Sequence, residues 1–482
     1  MQIYKTIFVL LSHIIFVTAM GYYLITNLQW YNYKIERVLL KHKRYSWHFF
    51  FFFIPIIAYY LTGIYFWIYF YFALLPSFYI WQRKLDKRVV FTARVKRFFL
   101  FLLLATLFQD TLCFATHRCE VYGVILPLFV AMLIGELFEK ILFNGYKKEA
   151  TKKINSLKEL KIVAITASYG KTSIKNFLYQ ILKDDFRAYK TPKSVNTEAG
   201  IVKDINNSLP KETQIYIAEA GAREQGDIKK IVDILQNHYA IVGKIGPAHI
   251  EYFKTLENIR DTKMEVINSK KLIKAFVHKS AVVKPNEKVQ IFGDEIKSVT
   301  STLEGLSFDL EIDGKIEHFE ADNILGEFNA INITAAILLA LELGLEMEKI
   351  KQKVKKLKQV EHRLQKIEAG GKLIIDDSYN GNLEGMVSSY QLVSSYKGRK
   401  VIITPGIIES TKEANEKLSK KIDEVFDLVV ITGKANSIIL MNNIKKAKKL
   451  FLSDKEKMQE LLAKETFAGD LILFSNDAPT FI

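Results

Sequence analysis

Two long uncharged runs set the first constraint on this chain. No residue from Thr6 to Tyr33 carries a formal charge, and none from Phe49 to Trp81 does. Each run exceeds the ~20 residues an α-helix needs to cross the hydrocarbon core of a bilayer. In lipid, a single continuous run satisfies its own backbone groups as a helix, so both are predicted helical. A third run starts at Phe98 and is interrupted by Asp110, and a fourth, Val121 to Gly135, ends at Glu136. A cleaved signal peptide does not fit the first run. Its apolar part is too long, only Lys5 precedes it, and three more runs follow.

Charge placement supports a membrane. The net charge is +16, which would suit nucleic acid, but residues 1–150 hold +10 of it and residues 151–482 only +6. The excess therefore lies in the most apolar and aromatic part of the chain, which argues against a nucleic-acid partner. Two basic loops, Lys34 to Arg44 and Arg83 to Arg97, should both face the cytoplasm. Phe49–Trp81 would then have to enter and leave on one side. Pro55, Gly63 and Pro76 permit a re-entrant hairpin, and a single tilted span fits equally well. The expectation is a transmembrane helical region over residues 1–148 with about four or five segments. Cys113 and Cys119 lie in a loop expected to face outward, where a disulfide and two free thiols are both open. Two Cys in all exclude a disulfide scaffold and a Cys-rich zinc domain.

After Lys147 the pattern changes. Short β-branched runs alternate with amphipathic stretches, among them Lys161–Thr166, Gln214–Ala218, Ala240–Val242, Lys372–Ile375, Lys400–Thr404 and Leu428–Thr432. This alternation predicts an α/β fold with parallel, doubly wound sheets. A long helix is predicted over Ile331–Leu345, followed by a Lys-rich segment. A boundary near Arg363 divides a central domain, 149–362, from a C-terminal Rossmann-like domain, 363–482.

Four strings sit where strands end, and open α/β sheets bind ligands there. The first is Thr166-Ala167-Ser168-Tyr169-Gly170-Lys171-Thr172-Ser173, ahead of a helix with Ile174, Phe177, Leu178 and Ile181 on one face. Backbone N–H groups at a helix N-terminus bind phosphate. Lys171 can reach the β- and γ-phosphates and the Thr172 hydroxyl can ligate Mg²⁺. The second is Glu219-Ala220-Gly221-Ala222-Arg223, whose acid could hold a metal or cap a helix. The third is Gly246-Pro247-Ala248-His249. The fourth is Asp376-Asp377-Ser378-Tyr379-Asn380-Gly381-Asn382, which suits a ribose or metal, or a turn with a helix cap.

In order and spacing these strings resemble the Mur ligases, ATP-dependent amide-forming enzymes of peptidoglycan assembly. Thr166–Ser173 resembles their phosphate loop, Thr191–Thr197 their substrate-side segment, and Glu219–Arg223 and Ile245–Glu251 two further signatures. Lys263 with Glu265 resembles the pair whose lysine is carbamylated, Gly326–Asn332 the adenine segment, and Arg363 the hinge arginine. The string at 376–382, with Gly246–His249, is most typical of the member that adds D-alanyl-D-alanine. The resemblance covers about residues 160–482. It implies a P-loop-containing central domain that binds ATP and Mg²⁺ and acts on UDP-muramoyl-tripeptide and D-Ala-D-Ala. It implies Lys171, His249, Lys263 and Arg363 as catalytic residues. Ser168, Gly170, Lys171, Thr172, Ser173, Asn329, Asn332 and Asp377 would bind the nucleotide. Thr172, Glu219, His249 and carbamylated Lys263 would bind metal. It places the chain in a bacterial inner membrane, multi-pass, with its catalytic domains in the cytoplasm beside other wall-synthesis enzymes.

The chain also departs from the family. Ala167 replaces a loop glycine, Lys244 an asparagine, Phe328 a histidine and Leu383 a proline. The uridine-binding domain usual at the front is replaced by the apolar runs. Two alternatives follow: a related ligase with another acceptor, such as a lipid-linked one, and a membrane scaffold with a degenerate nucleotide site.

Overall fold

The computed structural model describes residues 2–40, 44–85, 88–116, 122–248, 250–408 and 410–477. The chain divides into two units, Met1–Gly145 and Tyr146–Ile482, with the boundary inside the helix Ile125–Ser156. Cys119, one of the two cysteines, lies outside the described residues.

In the first unit, three helical stretches are long and apolar enough to cross a membrane: Thr6–Trp30, Ser46–Arg83 and Ala93–Thr116. The middle one is a hairpin. The rings of Phe51 and Phe78 lie 5.3 Å apart, and those of Tyr59 and Phe66 5.2 Å. A continuous helix would separate Phe51 from Phe78 by about 40 Å at its rise of ~1.5 Å per residue. The chain reverses at Gly63, whose φ of +52° is unfavourable for a residue with a Cβ. A π-helical turn precedes each proline, Phe49–Phe53 before Pro55 and Phe70–Leu74 before Pro76. The missing proline N–H lets the helix open at these points.

Both arms pack on the first helix. Phe16 meets Tyr59, Phe66 and Phe70 at 5.3, 4.8 and 5.3 Å between ring centres. At one end Trp47 contacts Trp30 and Trp81 at 6.4 and 5.8 Å. Arg94 lies 3.6 Å over the Tyr33 ring, and Gln29 exchanges hydrogen bonds of 2.9 and 2.8 Å with the Val90 backbone. Near the other end, His13 Nδ1 is 3.0 Å from Asp110 Oδ2. The outer surface is apolar, with Phe50, Leu61, Phe72, Phe108 and Phe129 exposed.

The second unit holds fifteen described strands in three sheets. The first sheet comprises β1 (Lys161–Thr166), β2 (Ala188–Lys190), β3 (Ile215–Glu219), β4 (Tyr239–Val242), β5 (Lys274–His278) and β6 (Val289–Phe292). It is parallel throughout, in the order β2-β3-β1-β4-β5-β6. The buried Ile/Val runs of β1, β3 and β4 match a sheet covered on both faces. After β1 the chain lays β3 on one side and then crosses to lay β4 on the other. The carboxyl end of β1 is thus a topological switch point, where a ligand crevice opens. The antiparallel strands β7 (Ile296–Ser301), β8 (Leu306–Ile312) and β9 (Lys315–Ala321) form a small second sheet. The third contains β10 (Gln365–Ala369), β11 (Lys372–Asp377), β12 (Lys400–Thr404), β13 (Leu428–Thr432), β14 (Lys448–Leu452) and β15 (Leu471–Ser475). Its order is β10-β11-β15-β12-β13-β14, parallel except for β10 against β11.

Element ends differ slightly from the sequence reading. The helix expected over Ile331–Leu345 runs from Phe328 to Glu342. β11 continues through Asp376 and Asp377, so both acids lie in the strand rather than in the turn after it.

Candidate active site

β1 delivers the chain into the loop Ala167–Gly170, and a helix starts at Lys171. That helix buries Ile174, Phe177, Leu178 and Ile181, the face the apolar spacing defines. Gly170 caps it with φ +82°, and a Cβ there would lie 2.2 Å from Asn332 Oδ1. A glycine is therefore required both for the backbone and for the close approach of Asn332. Ala167 is not among the residues with positive φ, so its methyl group is tolerated. The first intrahelical bond runs from Ile174 N to Gly170 O at 2.9 Å. The N–H groups ahead of it form an anion-binding helix start. Thr166 Oγ1, buried where the loop begins, has no hydrogen-bond partner among the described residues.

Glu219 is the last residue of β3, beside β1 in register with Ile165. Its Oε2 accepts a 3.0 Å hydrogen bond from Thr172 Oγ1 and lies 3.2 Å from Lys175 Nζ. Its Oε1 accepts from Asn196 Nδ2 at 3.0 Å. The 191–197 segment is held at both ends. Thr191 Oγ1 accepts from Glu219 N at 3.2 Å, and Gly221 N donates to Asn196 O at 2.8 Å.

Lys171 curls back on its own loop, donating to Ala167 O at 2.8 Å. Burial lowers its pKa; Glu219 opposes the shift and Arg363 adds to it. Lys263, on the helix Leu256–Met264, is buried. Burial holds its amine well below the usual lysine range, and Lys171 lowers it further, against Asp227, Glu219 and Glu265. Glu265 itself caps the start of the earlier helix Asp227–Leu235, accepting from Gly226 N at 2.7 Å and Lys229 N at 2.9 Å. His249 lies outside the described residues.

A small cleft is lined by Ser173, Asn323, Asn329, Gln359 and Arg363, which joins the phosphate-loop helix to the hinge. Asn332 Nδ2 donates to Asn329 Oδ1 at 2.9 Å. The hinge backbone is unusual, because His362 and Leu364 have φ of +60° and +52° around Arg363. Such strain in non-glycine residues persists only where the surroundings enforce it. Arg363 donates to Tyr379 O, and His362 Nδ1 lies 2.7 Å from the buried Asp376. Burial raises the Asp377 pKa. Its carboxylate accepts from Ser389 Oγ at 2.7 Å, Asn380 Nδ2 at 2.8 Å and Leu364 N at 3.3 Å, so it anchors the hinge to the last lobe. Asn382 caps the helix Leu383–Ser394 through a 2.8 Å bond from Gly385 N.

Residues 165–340 match the Mur ligase middle domain. The second unit is thus similar to the Mur ligases. The chain is 27% identical to the UDP-N-acetylmuramoyl-tripeptide–D-alanyl-D-alanine ligase of Bacillus subtilis, over 65% of this chain and 72% of that one. It is 28% identical to the enzyme of the same name from Borreliella burgdorferi, over 57% of this chain and 62% of that one. The structure of the MurF ligase of Thermotoga maritima in complex with ADP superposes with a TM-score of 0.61 at 27% identity, covering 69% of this chain and 80% of that one.

In the second unit the structure brings Thr172 into hydrogen-bond contact with Glu219, puts Lys171 within electrostatic reach of that acid, and sets Asn332 against the loop. It places Lys263 and Arg363 within electrostatic reach of Glu219. The sequence reading missed Lys175, Asn196, His362 and the pairing role of Asp376. Asn196 and Asp376 lay inside recognised strings. Lys175 gave no signal, because a lysine on an amphipathic helix ordinarily faces water.

Proposed function

We propose that this chain is a membrane-anchored, ATP-dependent ligase of peptidoglycan precursor synthesis. It adds D-alanyl-D-alanine to UDP-N-acetylmuramoyl-tripeptide. One observation carries the reading: at the start of the phosphate-loop helix Thr172 Oγ1 donates to the Glu219 carboxylate at 3.0 Å, with Lys171, Lys263 and Arg363, from three separate segments, within electrostatic reach of it. Cations gathered around one acid at a phosphate loop suit the transfer of a phosphoryl group. The named relatives support the choice of substrates.

The tripeptide carboxylate attacks the γ-phosphorus of ATP, ADP leaves, and an acyl phosphate forms. The neutral amine of D-alanyl-D-alanine then attacks the acyl carbon, phosphate leaves, and the amine loses a proton. Lys171 and the helix start, with Ser168, Gly170 and Ser173, hold the phosphates. Asn329, Asn332 and Asp377 hold the adenosine side, and Arg363 approaches the γ-phosphate from the hinge. The Thr172 hydroxyl and the Glu219 carboxylate are oxygen donors of the kind Mg²⁺ prefers, and they fit it. The metal supplies charge neutralisation on the phosphates. His249 and Lys263 would serve a second ion. Burial lowers the Lys263 pKa and so favours its neutral amine, the form that adds to CO₂ and releases a proton to give a carbamate. We divide the chain into 1–148, 149–362 and 363–482, with the last part closing on the ATP site.

The apolar outer surface of the first unit and its end bearing Trp and Arg side chains support insertion in a bacterial inner membrane. The second unit would then lie in the cytoplasm, within reach of other wall-synthesis enzymes. The same apolar helices favour a second reading, in which the muropeptide acceptor is lipid-linked.

The test is ADP and product formation by the detergent-solubilised full chain. The expected result is turnover with UDP-muramoyl-tripeptide and D-Ala-D-Ala, and none with single amino acids. Poor use of that substrate beside efficient use of a lipid-linked form would select the second reading. No ADP release with either would overturn both. Release of the chain from membranes by alkaline carbonate would overturn the anchor.

A further inference from the structure

Lys175 is a buried lysine one turn beyond Lys171 on the phosphate-loop helix, with only 1% of its side chain exposed. Lysines are almost never fully buried unless they are paired. Its ammonium meets two sequence-distant groups. It lies 3.2 Å from Glu219 Oε2 and donates to the carbonyl of Lys193. Lys193 belongs to the 191–197 segment, whose Asn196 donates to the other oxygen of the same carboxylate. Behind it, Tyr189 and Tyr216 hold the buried Asp204 at 2.8 and 2.9 Å, adding negative charge nearby.

We propose that Lys175 is a positioning residue that aims the Glu219 carboxylate at Mg²⁺ and ties it to the 191–197 segment. Metal binding and the seating of that segment then become one event. Thr172 and Asn196 donate to Glu219 without carrying charge, so Lys175 is its contacting cation among the described residues. An outer partner of this kind fixes the ligand's orientation, and losing one typically costs 10–100-fold in metal affinity. The inference rests on the Mg²⁺ and ATP reading above.

The test uses the detergent-solubilised full chain and titrates Mg²⁺ into its ADP complex, with metal-free ADP affinity measured separately. Lys175→Met is expected to leave metal-free ADP affinity within about twofold and to weaken Mg²⁺ at least about tenfold. Lys175→Arg, which keeps the charge, is expected to recover most of that loss. Equal Mg²⁺ affinity in Lys175→Met and the unaltered chain would overturn the proposal. So would a parallel loss of metal-free ADP binding, which a merely structural lysine predicts, or an arginine variant as weak as the methionine one. If Lys175→Met does not fold, the double variant Lys175→Met/Glu219→Gln decides. Recovered folding supports the pair, because removing both charges relieves the unpaired carboxylate, and continued unfolding overturns it. If the unaltered chain binds no Mg²⁺–ADP, the ligase reading falls and this inference falls with it. If the chain binds and the variant matches it, only this inference falls.

Discussion

Each unit buries an acid against a basic side chain, and the two pairs are built differently. In the second unit, Glu219 is engaged on both carboxylate oxygens, by Thr172 and Lys175 on one and Asn196 on the other, at the tip of a strand where a ligand crevice opens. In the first, His13 faces acceptors on both ring nitrogens, Asp110 Oδ2 at 3.0 Å and Gly123 O at 3.2 Å. The second Asp110 oxygen is buried and has no hydrogen-bond partner among the described residues. One pair sits at the proposed phosphate site, and the other pins the first helix to Ala93–Thr116 inside an aromatic bundle. The difference teaches that burial alone does not mark function. The partners and the place in the fold separate a working charge from a structural one.

The largest effect should come from the working charge. Lys171→Ala is expected to lower product formation at least about a hundredfold, the scale of losing one charge-stabilising donor, with little change in melting temperature. Retained turnover would place Lys171 on the structural side. The structural pair should respond the other way. Asp110→Asn is expected to destabilise the bundle by about 3 kcal/mol, as breaking a buried pair does. His13→Leu/Asp110→Leu should recover most of it. Thermal unfolding in detergent checks both, and an unstable double variant would mean the pair does more than hold the helices.

His278 sharpens the comparison, because it is buried with no contacting carboxylate among the described residues. Its Nδ1 accepts from Ser280 N at 3.2 Å and lies 2.8 Å from Ser280 Oγ. Burial, followed by Lys244 and Lys279, lowers its pKa from 6.5 to about 4. The folded state therefore binds fewer protons than the unfolded one between those values. Its contribution is complete above pH 6.5 and is lost as pH falls toward 4, by about 3 kcal/mol in all. His278→Gln should flatten the stability–pH curve in that window, and an unchanged slope would assign it to other groups. The smallest effect is expected at Lys244, whose ammonium pairs with Glu384 across the hinge with side chains 31% and 69% exposed. Lys244→Ala should cost less than about 1 kcal/mol in the same unfolding assay.

Much of the second unit was legible locally. β1, β3 and β4 are short apolar runs bounded by turns, and the phosphate-loop helix shows its buried face at helical spacing. Lys175 was not legible, because its burial comes from β3 and the 191–197 segment folding over it. The strained φ values at His362 and Leu364 were equally hidden, since no residue type there demands them. In the first unit the apolar runs were plain. A spanning helix and a hairpin share the same composition, so Gly63 remained ambiguous until Phe51 and Phe78 were found in contact.

Local physics thus accounts for the element types, the apolar helices and the order of the phosphate-binding strings, because propensity, periodicity and charge act over a few residues. Which charges meet, where the apolar hairpin turns and which lysine stands behind Glu219 depended on contacts between residues far apart in the chain. Coulomb energy and desolvation are set by distance and burial in space, and a linear string of residues carries neither.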